Sequence, residues 1–196
     1  RRFLIENMGY SLGFLLVILG RMQLFTENTI TTVLPGMADP CAAMRGRIAR
    51  LWAIVLAAYV VGAFVAAALI VFTPALPADL MPAILSLSEH AVGMPAWDSF
   101  WRAIPAGILV AAIVWMLPQA EEASFFVILA FTWLIAAGDF THVVAGAGEM
   151  AVLVLNGSLG FGGAVFGFFL PVLLGNIVGG TGIFALMAWG QVKEEM

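Results

Sequence analysis

Charge is the scarcest commodity in this 196-residue chain. Lys and Arg together number 8, Asp and Glu 12, and charged side chains make up only 10% of the residues. A water-soluble surface carries roughly 25–35% charged residues, so this chain cannot coat itself as an ordinary soluble domain. Its net charge of -4 supplies no basic field for nucleic acid, and no nucleic-acid-binding motif occurs. Cys41 is the lone cysteine, which excludes an intrachain disulfide and thiolate zinc sites. The two histidines, His90 and His142, lie in separate regions without metal-ligand spacing, so neither a metal nor another cofactor is expected. The opening apolar stretch does not read as a secretory leader, because no small-residue cleavage site follows it.

What is abundant is apolar sequence. The chain is 63% hydrophobic, with 21 Gly and 15 Phe, and runs of roughly 18 or more apolar residues recur, the pattern of membrane-crossing helices. Five spans are visible, over residues 3–34, 51–72, 100–117, 124–155 and 161–189, forming one transmembrane domain over residues 1–196. Between the first two, Arg45, Arg47 and Arg50 read as a cytoplasmic loop ended by Pro35-Gly36 on one side. The connection from Thr73 to Asp98 holds Asp79, Glu89 and Asp98 but no Lys or Arg, which suits the outer face. Pro118 with Glu121-Glu122 reads as a short turn. An odd number of spans with Lys193-Glu194-Glu195 cytoplasmic leaves Arg1 and Arg2 outside. That offends the positive-inside rule, and an additional leading helix, giving six, is the simplest expectation.

Two spans are too long for one straight crossing. Residues 3–34 would extend about 48 Å as a helix, against a hydrocarbon core of about 30 Å. Polar residues stand in the middle of each: Gly20-Arg21-Met22-Gln23-Leu24-Phe25-Thr26-Glu27-Asn28 in the first, Gly138-Asp139-Phe140-Thr141-His142 in the other. Such residues are costly at membrane depth and normally face a bundle interior or a watery path. Both spans therefore read as broken helices, with His142 at the mouth of the second half-helix. Imidazole is the side chain that changes charge nearest neutrality, and half-helix N-termini favour anions. His142, Thr141 and those amides read as a site for a small anion and its proton. Leu24 and Phe25 beside Thr26 suit a constriction that rejects hydrated ions.

Phe-Thr occurs at both breaks, and an Ala/Gly-rich span follows each broken one. This order lacks only a leading helix to become two three-helix halves, the inverted-repeat plan that places a site at the midplane. Glu27 and Glu149 are candidates to pair with Arg21 or to cap helices. Gly175, Gly179 and Gly180 favour close helix contact, and Asn176 between them fits either packing or a pathway. An intramembrane hydrolase is disfavoured: Asn156-Gly157-Ser158-Leu159-Gly160 lacks the Gly-x-Ser-x-Gly elbow.

With Leu24-Phe25-Thr26, Phe140-Thr141-His142 and Pro171-Val172-Leu173-Leu174-Gly175-Asn176-Ile177-Val178-Gly179-Gly180, the chain resembles the formate/nitrite transporter family over essentially its whole length, starting at that family's second helix. The resemblance implies an all-α polytopic membrane protein, an aquaporin-like inverted repeat of three plus three helices with two broken at the midplane. It also implies a homo-pentamer in the cell (inner) membrane bilayer, with one pore per protomer and a cytoplasmic C-terminus. Thr26 and His142 would lie at the pore centre, with Leu24, Phe25, Phe14 and Ile135 at constrictions and Thr141 and Asn176 nearby. Small monovalent anions such as formate and nitrite would pass, protonated near the central His. Several family residues differ here. Thr141 stands for the Glu before the His, Gly146 for the Asn four residues after it, Ala111 for an Asn in the preceding helix, and Gln23 where an acid is common. The vestibule Lys has no counterpart, and Arg102 is the candidate substitute. A neutral-solute or water pore and a non-conducting membrane interaction protein are the alternatives these differences leave open.

Overall fold

The structure, a computed structural model, describes Ile5 and residues 7–193. Arg1, Arg2, the start of the first span at Phe3, and Glu194-Glu195 lie outside the described residues. Among the described residues all regular structure is helical: α1 (Met8–Leu19), α2 (Phe25–Thr31), α3 (Val33–Ala38), α4 (Ala42–Phe72), α5 (Met81–Val92), α6 (Ala96–Ala120), α7 (Ser124–Ala137), α8 (Val143–Leu155) and α9 (Gly163–Val192). Within α9, Gly163–Phe169 and Val178–Ala185 are wound as π-helix, and the whole runs on as one rod.

Three helical stretches, Ala42–Phe72, Ala96–Ala137 and Gly163–Val192, are long and apolar enough to cross a membrane. The middle one is a hairpin rather than a single rod. Glu121 has φ 39°, in the left-handed region that a continuing helix cannot use, and α6 and α7 pack side by side beyond it. Residues 3–34 and 124–155 are interrupted as expected, giving the half-helix pairs α1/α2 and α7/α8.

Several boundaries correct the sequence reading. Pro35 and Gly36 do not end the first span but lie inside α3. Arg45, Arg47 and Arg50 are not in a loop: α4 begins at Ala42, capped by the Cys41 sulfur, which accepts from the Met44 N–H. Arg is a strong helix former that loses little rotamer freedom there, so the helix continues beyond its apolar part. The acidic connection likewise contains a 12-residue helix, α5, with Pro82 in its first turn, where a missing N–H costs nothing. Pro118 is inside α6, and the chain turns at Glu121 instead.

Helix α6 is the hub, packed against α9, α7 and α2, while α8 sits between α4 and α5. Close approach of α6 and α9 needs glycine on α9: a Cβ at Gly175 or Gly179 would collide with the Phe100 or Ile104 carbonyl oxygen. By contrast α4 buries only Val55 and Ala67 and turns Ile54, Val61, Val65 and Leu69 outward. Such an apolar outer face suits lipid or a neighbouring subunit, not water.

Candidate functional site

Each break is built on the same backbone device. At the end of α1, Gly20 N–H donates to Leu16 O, Arg21 N–H to Ile18 O and Met22 N–H to Val17 O. At the end of α7, Gly138 donates to Leu134 O, Asp139 to Ala136 O and Phe140 to Ile135 O. In both, the residue after the glycine is left-handed, Arg21 at φ 53° and Asp139 at φ 53°, the arrangement that satisfies carbonyls at a helix end. Each second half-helix then starts from an extended residue, Leu24 (φ -119°, ψ 126°) or His142 (φ -131°, ψ 125°).

This geometry sets the register of the internal repeat. Gly20 matches Gly138, Arg21 matches Asp139 and Leu24 matches His142. The shared Phe-Thr pair, which aligned Thr26 with Thr141, is a coincidence three positions out of register. Thr26 is therefore the contact of His142 rather than the counterpart of Thr141.

The starts of the two second half-helices meet. Thr26 Oγ1 lies 3.0 Å from His142 Nε2, and both residues are buried, at 0% and 2% exposure. Whichever of the two donates, the other ring nitrogen, Nδ1, is buried without a partner among the described residues. The Phe14 ring stands edge-on to the imidazole at 5.1 Å. Phe14, Leu24 and Ile135 are buried in one apolar cluster. Phe25 is turned away from them, into another cluster with Val143 and Phe168 and edge-on to Trp52 at 5.6 Å.

Two residues expected near a solute have their polar atoms engaged by backbone. Thr141 Oγ1 donates to Ser99 O at 2.6 Å. The Asn176 side chain donates to Ala103 O (2.8 Å) and Thr141 O (3.2 Å) and accepts from the Val143 N–H (2.8 Å). A helix break leaves carbonyls and amides open, and a buried open group is costly; Asn176 closes two of them, Val143 N–H and Thr141 O, and ties them to Ala103 O of α6. That also consumes the first amide of α8, which the sequence reading assigned to an anion.

Arg102 reaches the second break, where its Nη1 donates to the Asp139 carboxylate (2.7 Å) and carbonyl oxygen (3.3 Å). His90 Nε2 lies 3.1 Å from the other carboxylate oxygen. His90, set apart in a loop by the sequence reading, is thus at the end of α5 and next to the break. Their separations of 37 and 49 residues hid this cluster from pattern reading. The only signal was opposite charge in an otherwise apolar chain. Among the described residues neither Glu27 nor Glu149 pairs with Arg21; the ion pairs are those of Asp139. Where the family carries polar residues, apolar packing stands instead. Ala111 is buried with Ile30 and Ala185, and at Gly146 a Cβ would run into the Phe168 ring.

Comparisons with known proteins agree with this architecture. The chain is 43% identical over 194 residues to inner membrane protein YfdC of Escherichia coli (strain K12), covering 99% of the chain and 63% of that protein. It therefore spans less than two thirds of that relative's length. It is 30% identical to the "Probable formate transporter" of Methanothermobacter thermautotrophicus, covering 95% of the chain and 74% of that protein. A pentameric formate channel with formate bound superimposes with a TM-score of 0.78 at 22% identity, over 98% of the chain and 83% of that structure, and so shares the aquaporin-like fold. The family model described as "Formate/nitrite transporter" matches residues 2–190. On that match and on its paired helix breaks, the chain belongs to the formate/nitrite transporter family.

Proposed function

We propose that the protein is a membrane channel, not an enzyme, for small monovalent weak-acid anions of the formate or nitrite kind. The single observation that carries this reading is the buried Thr26–His142 contact, with an unpartnered Nδ1 in an apolar surround of Phe14, Leu24 and Ile135. A bare anion in such a slit is costly, whereas a small neutral acid is not. The anion arrives at the polar break, takes a proton near His142, and crosses the apolar cluster as the acid. Thr26 orients the imidazole, while Thr141 and Asn176 hold the break open and serve as scaffold. Phe14, Leu24 and Ile135 narrow the path, and Phe25 backs the wall against Trp52.

The outward apolar face of α4 suits the homo-oligomer, a pentamer, that the neighbouring formate channel forms. Arg45, Arg47 and Arg50 at the start of α4 favour a cytoplasmic position for that end, and hence a cytoplasmic C-terminus in a cell inner membrane. The test is formate and nitrite uptake into proteoliposomes containing the full-length protein, at neutral and mildly acidic pH. Uptake that rises with acidity is expected. One observation favours a second reading, a pore for neutral solutes: Arg102 is neutralised by Asp139. Osmotic swelling with uncharged solutes, in vesicles that take up neither anion, is the outcome that would favour it.

A further inference from the structure

Inside a helix bundle that crosses a bilayer, a buried polar atom has no lipid partner and must find one in the protein. Most buried polar side chains here follow that rule. Ser11, Thr29 and Thr132 donate to backbone carbonyls, Thr141 donates to Ser99 O, and Asn176 bonds three backbone groups. Three buried side-chain atoms have no partner among the described residues: Tyr10 Oη, Ser99 Oγ and His142 Nδ1.

These three are not scattered. Ser99, in the first turn of α6, takes the Thr141 hydroxyl on its carbonyl at 2.6 Å, which sets it beside the residue that precedes His142. Tyr10 is one turn before Phe14 on α1, so the two rings share a face, with centroids 5.2 Å apart. Phe14 in turn lies 5.1 Å from the imidazole. Two unpaired hydroxyls thus flank His142 from two helices, α1 across Phe14 and α6 across Thr141. Phe14, Leu24 and Ile135 supply only apolar surface.

A buried hydroxyl without a partner is costly. Two of them beside a titratable ring point to a polar group that comes and goes. A hydroxyl is both donor and acceptor, whereas an ammonium or a guanidinium only donates. It can donate to an anion's oxygen and, once that anion has gained a proton, accept from the O–H of the acid.

We propose that Tyr10 and Ser99 are solute-contacting residues, whose hydroxyls bind the oxygens of a small solute through both of its protonation states. Donors on separate helices suit a planar solute with two oxygens over a one-centre anion such as a halide. For the class of solute this rests on the channel reading above.

The test compares the full-length wild type with Tyr10→Phe, Ser99→Ala and the double variant. The half-saturation concentration for formate uptake is expected to rise about three- to tenfold in each single variant, and further in the double one. The melting temperature in detergent should not fall, because neither hydroxyl has a bond to lose among the described residues. Unchanged half-saturation in both single variants would overturn the proposal. So would melting temperatures that fall in step with the loss of uptake, the mark of a structural role. Binding of isotope-labelled formate, followed by NMR in lipid nanodiscs, should weaken by the same factors. A wild type that binds formate without conducting it would contradict the channel reading alone, and equal binding by wild type and variants would then overturn the proposal. A wild type that neither binds nor conducts formate would overturn both.

Discussion

Gly20 and Arg21 close α1 just as Gly138 and Asp139 close α7, but the two breaks are secured very differently. At the second, Asn176 bonds three backbone groups, Thr141 bonds Ser99 O, and Asp139 is fastened to Arg102 and His90. At the first, the carbonyl of Gln23, which matches that of Thr141, accepts from the Tyr59 hydroxyl alone among the described residues, and the Gln23 side chain accepts from Asn28. Arg21, in the place of Asp139, is exposed and without an ion pair among the described residues. The same backbone device thus carries an immobilised histidine on one side and a lightly held loop on the other. A proton-handling imidazole needs a fixed distance to its partner. The threonine that meets it is the second residue of α2, whose own start is less constrained.

Asn176→Ala should have the largest effect on this contrast. It leaves Val143 N–H, Ala103 O and Thr141 O without their side-chain partner, at about 1–3 kcal/mol for each group that stays unsatisfied. We expect loss of the folded oligomer well below the wild-type melting temperature in detergent. A melting temperature unchanged by Asn176→Ala would show that the second break is held by something else. Next comes Gly146→Asn, which restores the family's residue. Its Cβ meets the Phe168 ring, and overpacking of this kind costs about 1–3 kcal/mol. Pairing it with Phe168→Leu should recover most of the loss, which a double-mutant cycle will report.

Removing the hydroxyl at the first break, by Tyr59→Phe, should cost only about 1 kcal/mol, visible as a small drop in melting temperature. The smallest effect has the opposite sign. Arg21→Gly relieves a left-handed arginine that pays for nothing in ion pairs, and should stabilise by about 0.5–1 kcal/mol. The same change at Asp139 should not, because it discards the partner of Arg102 and His90. Equal responses at the two positions would dissolve the comparison.

Much of this was legible in the sequence. The two overlong spans with polar centres gave both breaks, and His142 was placed at the start of a half-helix, where it stands. The small residues of α9 gave its close contact with α6. The repeat register was misread because apolar Gly- and Ala-rich helices carry little pattern, so a two-residue Phe-Thr match outweighed the Gly20/Gly138 caps. The three arginines at the start of α4 read as loop, yet arginine is a strong helix former and the helix begins before them at Ala42. Helix α5 was missed because four prolines between Thr73 and Asp98 read as irregular chain, yet Pro82 falls in a first turn. The Asp139 cluster could not be read from spacing, since tertiary packing alone brings α5 and α6 to the break.

In the proposed channel the passing anion takes its proton near His142. Its most direct test is formate uptake by proteoliposomes of the wild type and of His142→Asn, measured across outside pH with the oligomer confirmed intact. Wild-type uptake is expected to rise as pH falls, and the variant to lose most of that flux together with its pH dependence. A variant that conducts as fast as the wild type, with the same rise in acid, would contradict it.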